Sequence, residues 1–209
     1  MTAEQFIKQL NALPPEARGG FSATALTLSK LAAAEAVAHL IKDDDFAVRI
    51  SGVKAIRKFE LDIYEKDIIR LLLDRSNEVK AASFKSLASF GKPEHFKMAK
   101  AFYEENKQLR SIVIDSFVNY SDIFEAHLFM FNQLDNANQK IRESANNWFE
   151  KAFDKEIFLP WIEDIYDRAP WSLRLIFEES FAHRLKQMFS SWKHGYRFKL
   201  LYLIKRGAV

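Results

Sequence analysis

The stretch Asp43-Asp44-Asp45-Phe46-Ala47-Val48-Arg49 decides the fold, because its last two residues return along the chain at a nearly constant spacing. An apolar residue followed by a cation recurs after 31, 30, 32 and 32 residues, at Val48-Arg49, Val79-Lys80, Leu109-Arg110, Ile141-Arg142 and Leu173-Arg174. A fixed period of this length is typical of stacked structural repeats. The sequence therefore predicts a repeat array rather than one globular core.

The residues that follow each dipeptide predict a helix in every repeat. Small residues such as Gly52 and Ala55 mostly stand four and seven positions after the first residue of the dipeptide. Large apolar residues stand eight positions after it, at Ile56, Leu87, Phe117, Phe149 and Phe181. These offsets trace one face of an α-helix, and the small residues predict close approach of neighbouring helices. We call these predicted segments the B helices, and they cover residues 48–59, 79–90, 109–120, 141–153 and 173–186.

A second apolar segment, the A helix, precedes each B helix. The predicted A helices are Glu35–Lys42, Ile63–Leu73, Glu94–Glu104, Ile123–Leu134 and Glu156–Tyr166. Short polar linkers join A to B, among them Asp43-Asp44-Asp45 and Asp74-Arg75-Ser76-Asn77. Asp, Asn and Ser side chains accept hydrogen bonds from the free N–H groups at a helix start. We therefore expect each linker to cap the B helix that follows it.

An A helix, a turn that begins with Asp, and an apolar-Arg pair opening a B helix together resemble a HEAT repeat. Asp43 with Val48-Arg49 matches the spacing of that family best, and Asp74 with Val79-Lys80 is a close variant. The period of 30–32 residues is similar to that of the short bacterial repeats of the phycobilin-lyase type. The resemblance implies an all-α, right-handed solenoid of about six or seven helix pairs.

The row of cations from Arg49 to Arg174 has two interpretations. One is a phosphate-binding row. The other is a structural ladder, which the HEAT resemblance implies, since Asp and Arg of successive HEAT repeats bond to each other and to the turn backbone. Each cation also has an acidic residue five to seven positions upstream. We favour the structural interpretation.

The ends of the array are predicted to be irregular, as terminal repeats usually are. We expect one domain over residues 1–209, with a degenerate repeat at 1–34, regular repeats at 35–186 and an abbreviated cap at 187–209. At the N-terminus the sequence predicts a helix over Ala3–Leu13, which Pro14-Pro15 ends. It predicts a weak B helix over Phe21–Ala33. Gly19-Gly20 reads as a turn between helices.

Composition excludes several classes of protein. The chain has no Cys, so it holds no disulfide framework, Cys-ligated zinc or Cys nucleophile. It contains no His-Glu-x-x-His zinc motif, no phosphate-binding glycine loop and no nucleophile elbow. Its longest apolar run, Leu200–Ile204, is too short to cross a bilayer, and no signal peptide is expected. We expect a cytoplasmic, non-enzymatic protein without cofactors.

Charge is segregated along the chain. The net charge is −2 over residues 1–45, +5 over 46–110, −6 over 111–170 and +6 over 171–209. Cations on the polar sides of the early B helices and anions on the later ones predict a concave groove that changes sign along its length. We predict a scaffold or adaptor that binds protein along this groove. The predicted groove residues are Lys54, Arg57, Lys58, Lys85, Asp115, Asn147, Glu150 and Glu179.

The C-terminal segment offers a second candidate surface. It interleaves cations with aromatic residues, and its last helix is apolar on nearly every side. A solenoid end normally carries a polar outer face. We therefore predict docking of this end against a partner protein or a second copy of the chain. The residues predicted to take part are Lys193, Arg197, Lys199, Leu201 and Ile204.

Other functions stay open at this point. A mixture of cations and aromatics is also typical of nucleic-acid and anionic-lipid binding. HEAT-like alkylpurine DNA glycosylases place an Asp in a Trp-lined cleft, and by resemblance Asp164 or Asp167 would be that carboxylate. The surrounding segment is strongly acidic, which disfavours a phosphate backbone. A lyase or chaperone that acts on a chromophore-bearing protein is a third possibility.

Overall fold

The computed structural model of the protein describes residues 1–121, 123–133 and 136–154, and this part is all-helical, with no strand. It falls into two compact units, and the second unit begins at His127. The α-helices are α1 Ala3–Ala12, α2 Pro15–Ser22, α3 Lys30–Leu40, α4 Phe46–Phe59, α5 Glu65–Leu71, α6 Asn77–Ser89, α7 Pro93–Glu105, α8 Arg110–Val113, α9 Phe124–Phe131 and α10 Gln139–Asp154. Short 3₁₀ segments cover Ala23–Thr27, Asp62–Tyr64, Lys107–Leu109 and Ile114–Tyr120.

Helices of the first unit pack mainly against their neighbours in the chain. Helix α4 packs against α2, α3 and α6, and α6 packs in turn against α5, α7 and the 3₁₀ segment Ile114–Tyr120. The predicted B helices α4 and α6 therefore lie side by side, and α3 and α5 precede them as predicted A helices.

The predicted packing positions are buried where the structure describes them. Ile56, Leu87 and Phe117 have no exposed surface. Gly52 allows α4 to approach the end of α3, because a Cβ atom there would lie 2.8 Å from Ile41 Cγ2 and 2.9 Å from Leu40 Cβ. The close helix approach that the small residues predict is thus confirmed at Gly52. The Phe149 side chain and Phe181 lie outside the described residues.

The turns between A and B helices are held by the side chains that the sequence singled out. Asp45 Oδ1 accepts from the Ala47 N–H at 2.8 Å and caps α4, and Ser76 Oγ accepts from the Val79 N–H at 3.3 Å and caps α6. The predicted capping role of these linkers is confirmed at both helices.

Three predicted elements are wrong. The A helix expected at Glu35 begins earlier, at Lys30, where Ser29 caps it by accepting from the Ala32 N–H. The expected B helix Phe21–Ala33 is instead the end of α2, a 3₁₀ turn and the start of α3. Gly19-Gly20 lies inside α2 rather than in a turn, and Gly19 lets α2 approach α4, because a Cβ there would lie 2.8 Å from Ala47 Cβ.

The B segment 109–120 is also irregular. Only Arg110–Val113 is α-helical, and 3₁₀ segments flank it on both sides. The run Ile112-Val113-Ile114 consists of β-branched residues, whose χ1 freedom is restricted in an α-helix. This run gives the segment a low α-helix propensity.

Candidate protein-binding surface

Helix α4 carries three exposed cations on the side opposite its packed residues. Its buried residues include Val48, Gly52 and Ile56, which face the core. Lys54, Arg57 and Lys58 are exposed, and the helix contains no acidic residue. The pattern is that of an amphipathic helix whose polar side is uniformly basic.

Lys85 on α6 is equivalent, in the repeat register, to Lys54 on α4. The buried residues of the two helices match at a spacing of 31, as at Val48 and Val79 or at Gly52 and Ser83. Lys85 lies 31 residues after Lys54 and is half-buried. We call Lys54, Arg57, Lys58 and Lys85 the basic face.

One member of the basic face has a structural contact. Lys58 Nζ donates to the Leu26 carbonyl oxygen at 2.7 Å and lies 5.5 Å from the centre of the Phe59 ring. This bond ties α4 to the preceding 3₁₀ turn. Lys54, Arg57 and Lys85 form no ion pair with any described residue. Their charges are consequently available to a partner.

The arginines of the repeated dipeptide serve the turns instead. Arg49 and Arg142 each donate to two backbone carbonyls of the turn before their own helix, at 2.7–2.9 Å. Arg110 donates to two carbonyls in the last turn of α7, both at 2.8 Å. Arg49 also forms a two-bond ion pair with Asp74, 25 residues ahead. Arg18 pairs with Asp43 at the same sequence separation, through one of its terminal nitrogens alone.

The structural interpretation is confirmed in full at Arg49, and its backbone bonds alone are seen at Arg110 and Arg142. Lys80 forms no ion pair with a described residue, and Arg174 lies outside the described residues. The carboxylate partner of Arg18 and Arg49 belongs to the next repeat rather than to their own turn.

Asp74 shows the electrostatic consequence of this pairing. Burial raises the pKa of the Asp74 carboxyl, but the Arg49 guanidinium and the Ser76 N–H outweigh burial, so the pKa lies below its ordinary value of 3.8. The carboxylate and the guanidinium are both charged at neutral pH. They neutralise each other within the fold and offer no charge to a phosphate.

The structure describes only a few of the remaining predicted residues. Asp115 is exposed in the 3₁₀ segment Ile114–Tyr120, and Asn147 is exposed on α10. Glu150 lies on α10, and its side chain is outside the described set. The other predicted partner-binding and catalytic residues also fall outside the described residues, namely Glu179, Lys193, Arg197, Lys199, Leu201, Ile204, Asp164 and Asp167.

A polar cluster at the starts of α5 and α7, in which His95 is buried and its partners are half-buried, was missed by the sequence analysis. Lys92 Nζ pairs with Glu65 Oε2, and His95 Nε2 lies 3.0 Å from Glu65 Oε1. The Lys92 ammonium lowers the pKa of the Glu65 carboxyl, burial opposes this, and His95 adds to the lowering. Glu65 and His95 are 30 residues apart near the starts of successive A helices. The repeat period, applied to the A helices, is the signal that would have found them.

An open groove of about 520 Å³ lies between α1 and α3. It is lined by Ala3, Glu4, Ile7, Lys8, Glu35 and His39. None of the predicted partner-binding residues lines it. Its mixture of one cation and two carboxylates does not favour a ligand of either sign.

Among the described residues, no set of three or more His, Asp or Glu side chains is arranged to hold a metal ion. No helix within residues 1–121, 123–133 and 136–154 is both long and apolar enough to cross a membrane. No protein-family model matches the chain, and no curated protein matches it significantly.

Proposed function

We propose that this protein is a non-enzymatic scaffold or adaptor that binds a protein partner through the basic face. The observation that carries the proposal is a difference between two groups of cations, those paired within the fold and those left unpaired on its surface. Arg18 and Arg49 pair with carboxylates inside the fold, whereas Lys54 and Arg57 are exposed on α4 without an ion pair to any described residue. Exposed, unpaired charge of one sign steers and orients a partner of the opposite sign.

We further propose that the chain forms a right-handed HEAT-like solenoid of about six or seven helix pairs. Two observations support this architecture. The helices α4 and α6 pack side by side. The Arg18–Asp43 and Arg49–Asp74 ion pairs recur at one sequence separation of 25 residues. In such an array the B helices would line a concave face, and the basic face would belong to it.

Nucleic acid is the competing partner, because phosphate is complementary to the same cations. The basic face has four cations, and the exposed carboxylates of Glu60 and Glu78 lie at the end of α4 and the start of α6. DNA-binding proteins whose affinity is strongly salt-dependent make about 6–10 phosphate contacts, more than these four cations supply. The alternation of sign favours a protein, whose own charges alternate, over a uniformly anionic backbone.

Site-specific crosslinking tests the proposal. A benzophenone amino acid replaces Ser89, an exposed residue of α6 that occupies the position equivalent to Lys58. Irradiation in nuclease-treated extract of the native source is expected to capture one protein, identified by mass spectrometry. That protein, once purified, is then expected to form a stoichiometric complex with this chain. The complex should weaken in K54E/K85E.

The variant K66E/K97E is the matched control. Lys66 on α5 and Lys97 on α7 are exposed and also stand 31 residues apart, but on the A helices. The proposal is overturned if both double variants weaken the complex equally. It is also overturned if capture disappears with nuclease treatment and the chain binds DNA or RNA with a steep salt dependence.

A further inference from the structure

The turns that precede α4, α6 and α10 are held by the same two side-chain bonds. In each turn a first Asp or Asn side chain accepts from the N–H two residues later, at 2.8–3.0 Å. A second side chain then caps the helix that follows. The first residues are Asp43, Asp74 and Asn136, and the capping residues are Asp45, Ser76 and Asn138.

The turn between α7 and the next predicted B helix lacks both bonds. Asn106 stands at the repeat position of Ser76. Its Nδ2 donates back to the Phe102 carbonyl oxygen at 2.9 Å, and no side-chain bond caps the 3₁₀ turn Lys107–Leu109 that begins next. The start of this segment is therefore not fixed by the turn before it.

The ion pair that links successive turns is missing here as well. Lys80 and Glu104 stand at the repeat positions of Arg49 and Asp74. Lys80 forms no ion pair with a described residue, and the exposed Glu104 carboxylate lies 3.9 Å from Lys100. Lysine has one side-chain nitrogen and cannot form the two-bond pair of a guanidinium. This joint is consequently held by fewer side-chain bonds than the joint before it.

The segment that follows this turn, Lys107–Tyr120, is rich in 3₁₀ structure. Ten of its residues are 3₁₀, in runs of three and seven. Runs of 3₁₀-helix longer than three or four residues are uncommon, and 3₁₀ structure within a helix often marks a functional hinge or a strained sequence. We call Lys107–Tyr120 the 3₁₀-rich segment.

The buried residues of the 3₁₀-rich segment suit two helical periods. Ile114, Phe117 and Tyr120 are three residues apart, which is the period of a 3₁₀-helix, and all three are buried. Leu109, Val113, Phe117 and Tyr120 are four, four and three residues apart, which is the pattern of one face of an α-helix, and they are buried too. The same apolar residues can therefore pack in either form.

The two forms differ in length and in the apolar surface that they expose. Ile112 and Val118 are 43% and 42% exposed in the 3₁₀-rich segment. Each stands at a repeat position that is buried in one of the regular helices, at Ser51 on α4 and at Ala88 on α6. A continuous α-helix would also be about 5 Å shorter, since it rises about 1.5 Å per residue and a 3₁₀-helix about 2.0 Å.

We propose that the 3₁₀-rich segment is a conformational switch, which exchanges between its 3₁₀ form and a continuous α-helix like α4 and α6. The β-branched run Ile112–Ile114 disfavours the α-helix, whereas burial of Ile112 and Val118 would favour it. A partner that contacts the segment and binds one form more tightly shifts the population towards that form. The inference concerns residues 104–120 and does not depend on what binds the basic face.

Hydrogen exchange of the unaltered chain is the first test. Helix α6 has a capped start, and its turn is linked by Arg49. Amides of residues 110–121 are expected to exchange roughly tenfold faster than those of α6, because interconversion breaks and remakes their hydrogen bonds. Equal protection of the two segments overturns the inference.

Two spin labels distinguish a switch from a segment that only frays. The chain has no Cys, so K107C/N119C places one label near each end of the 3₁₀-rich segment, at exposed positions. Double electron–electron resonance is expected to show two populations whose separations differ by roughly 4–5 Å. A single population at either separation overturns the inference.

Rebuilding the missing ion pair should select one form. K80R/E104D gives this turn the Arg and Asp of the preceding one, and it is expected to favour the shorter label separation and to slow exchange over residues 110–121. The control K66R/E94D makes the same two changes at exposed positions of α5 and α7. It is expected to leave both measurements unchanged. The inference is overturned if both variants act alike, or if K80R/E104D keeps the protection of α6 and leaves the label populations as they were.

Discussion

Arg49 and Asp74 join two successive turns through one guanidinium. Arg49 Nε lies 2.9 Å from Asp74 Oδ2, and Nη2 lies 2.8 Å from Oδ1. The remaining terminal nitrogen, Nη1, donates to the carbonyls of Asp43 and Asp44, each at 2.8 Å. Arg49 is only 4% exposed. The side chain is thus a link between repeats whose polar atoms are almost all satisfied internally.

Arg49→Ala is expected to destabilise the protein by about 3–5 kcal/mol, because it leaves the Asp74 carboxylate buried without its partner. The free energy of unfolding, measured by urea denaturation, checks this. The control is Arg70→Ala, since Arg70 is 79% exposed and lies 3.5 Å from Asp67. That exposed pair should contribute about 0–1 kcal/mol. Similar losses in the two variants would contradict a structural role for the Arg49 link.

The repeat period made much of the fold predictable. A pattern that occurs five times separates the positions that must be buried from those that vary. Ile56 and Leu87 are buried as expected, and Gly52 sits at a close helix contact. The exposure of Lys54 follows from the same register, because it lies on the side opposite these residues.

Features that occur in a single repeat could not be predicted from the repeat period. The run Ile112–Ile114 carries the right apolar pattern, yet its low helix propensity gives 3₁₀ structure around a single α-helical turn. Gly19 looks like a breaker in sequence and instead provides room for Ala47. The Glu65–His95 contact joins different residue types from successive A helices, so its spacing of 30 residues is the signal for it and no repeated motif marks it.

Acid is expected to destabilise the protein partly through Glu65. The pKa of Glu65 is lowered below its ordinary value of 4.5, chiefly by Lys92. A carboxyl group with a lowered folded-state pKa contributes stability that is complete above the unfolded-state value and is lost as pH falls through the folded-state value. The difference in unfolding free energy between the unaltered chain and Glu65→Gln should therefore shrink below about pH 4.5. Urea denaturation at a series of pH values measures it, and parallel stability curves would contradict the assignment.

Two glycine-to-alanine substitutions are expected to have opposite effects. In Gly52→Ala the new Cβ would lie 2.8 Å from Ile41 Cγ2 and 3.1 Å from the Ile41 backbone nitrogen. Overpacking of this kind typically costs about 1–3 kcal/mol, which exceeds the gain in helix propensity of about 1 kcal/mol.

Gly20→Ala is the matched control within α2, because no atom lies within 4 Å of its new Cβ. At Gly20 only the gain in helix propensity applies, so Gly20→Ala is expected to stabilise the protein by about 0.5–1 kcal/mol. Thermal unfolding of both variants measures the contrast. Destabilisation of both would show that close approach is not what distinguishes the two sites.

Glu60→Gly is expected to stabilise the protein, because Glu60 ends α4 in the left-handed conformation, with φ 51° and ψ 57°. This conformation costs a non-glycine residue about 1–2 kcal/mol, partly offset by the greater freedom of glycine in the unfolded chain. The next repeat already has glycine at the equivalent position, because Gly91 stands 31 residues after Glu60, just after α6, with φ 63°. Glu60→Gly should thus raise the midpoint of thermal unfolding, and Gly91→Ala should lower it. If Glu60→Gly lowers the midpoint instead, contacts of the Glu60 side chain outweigh the backbone strain at the end of α4.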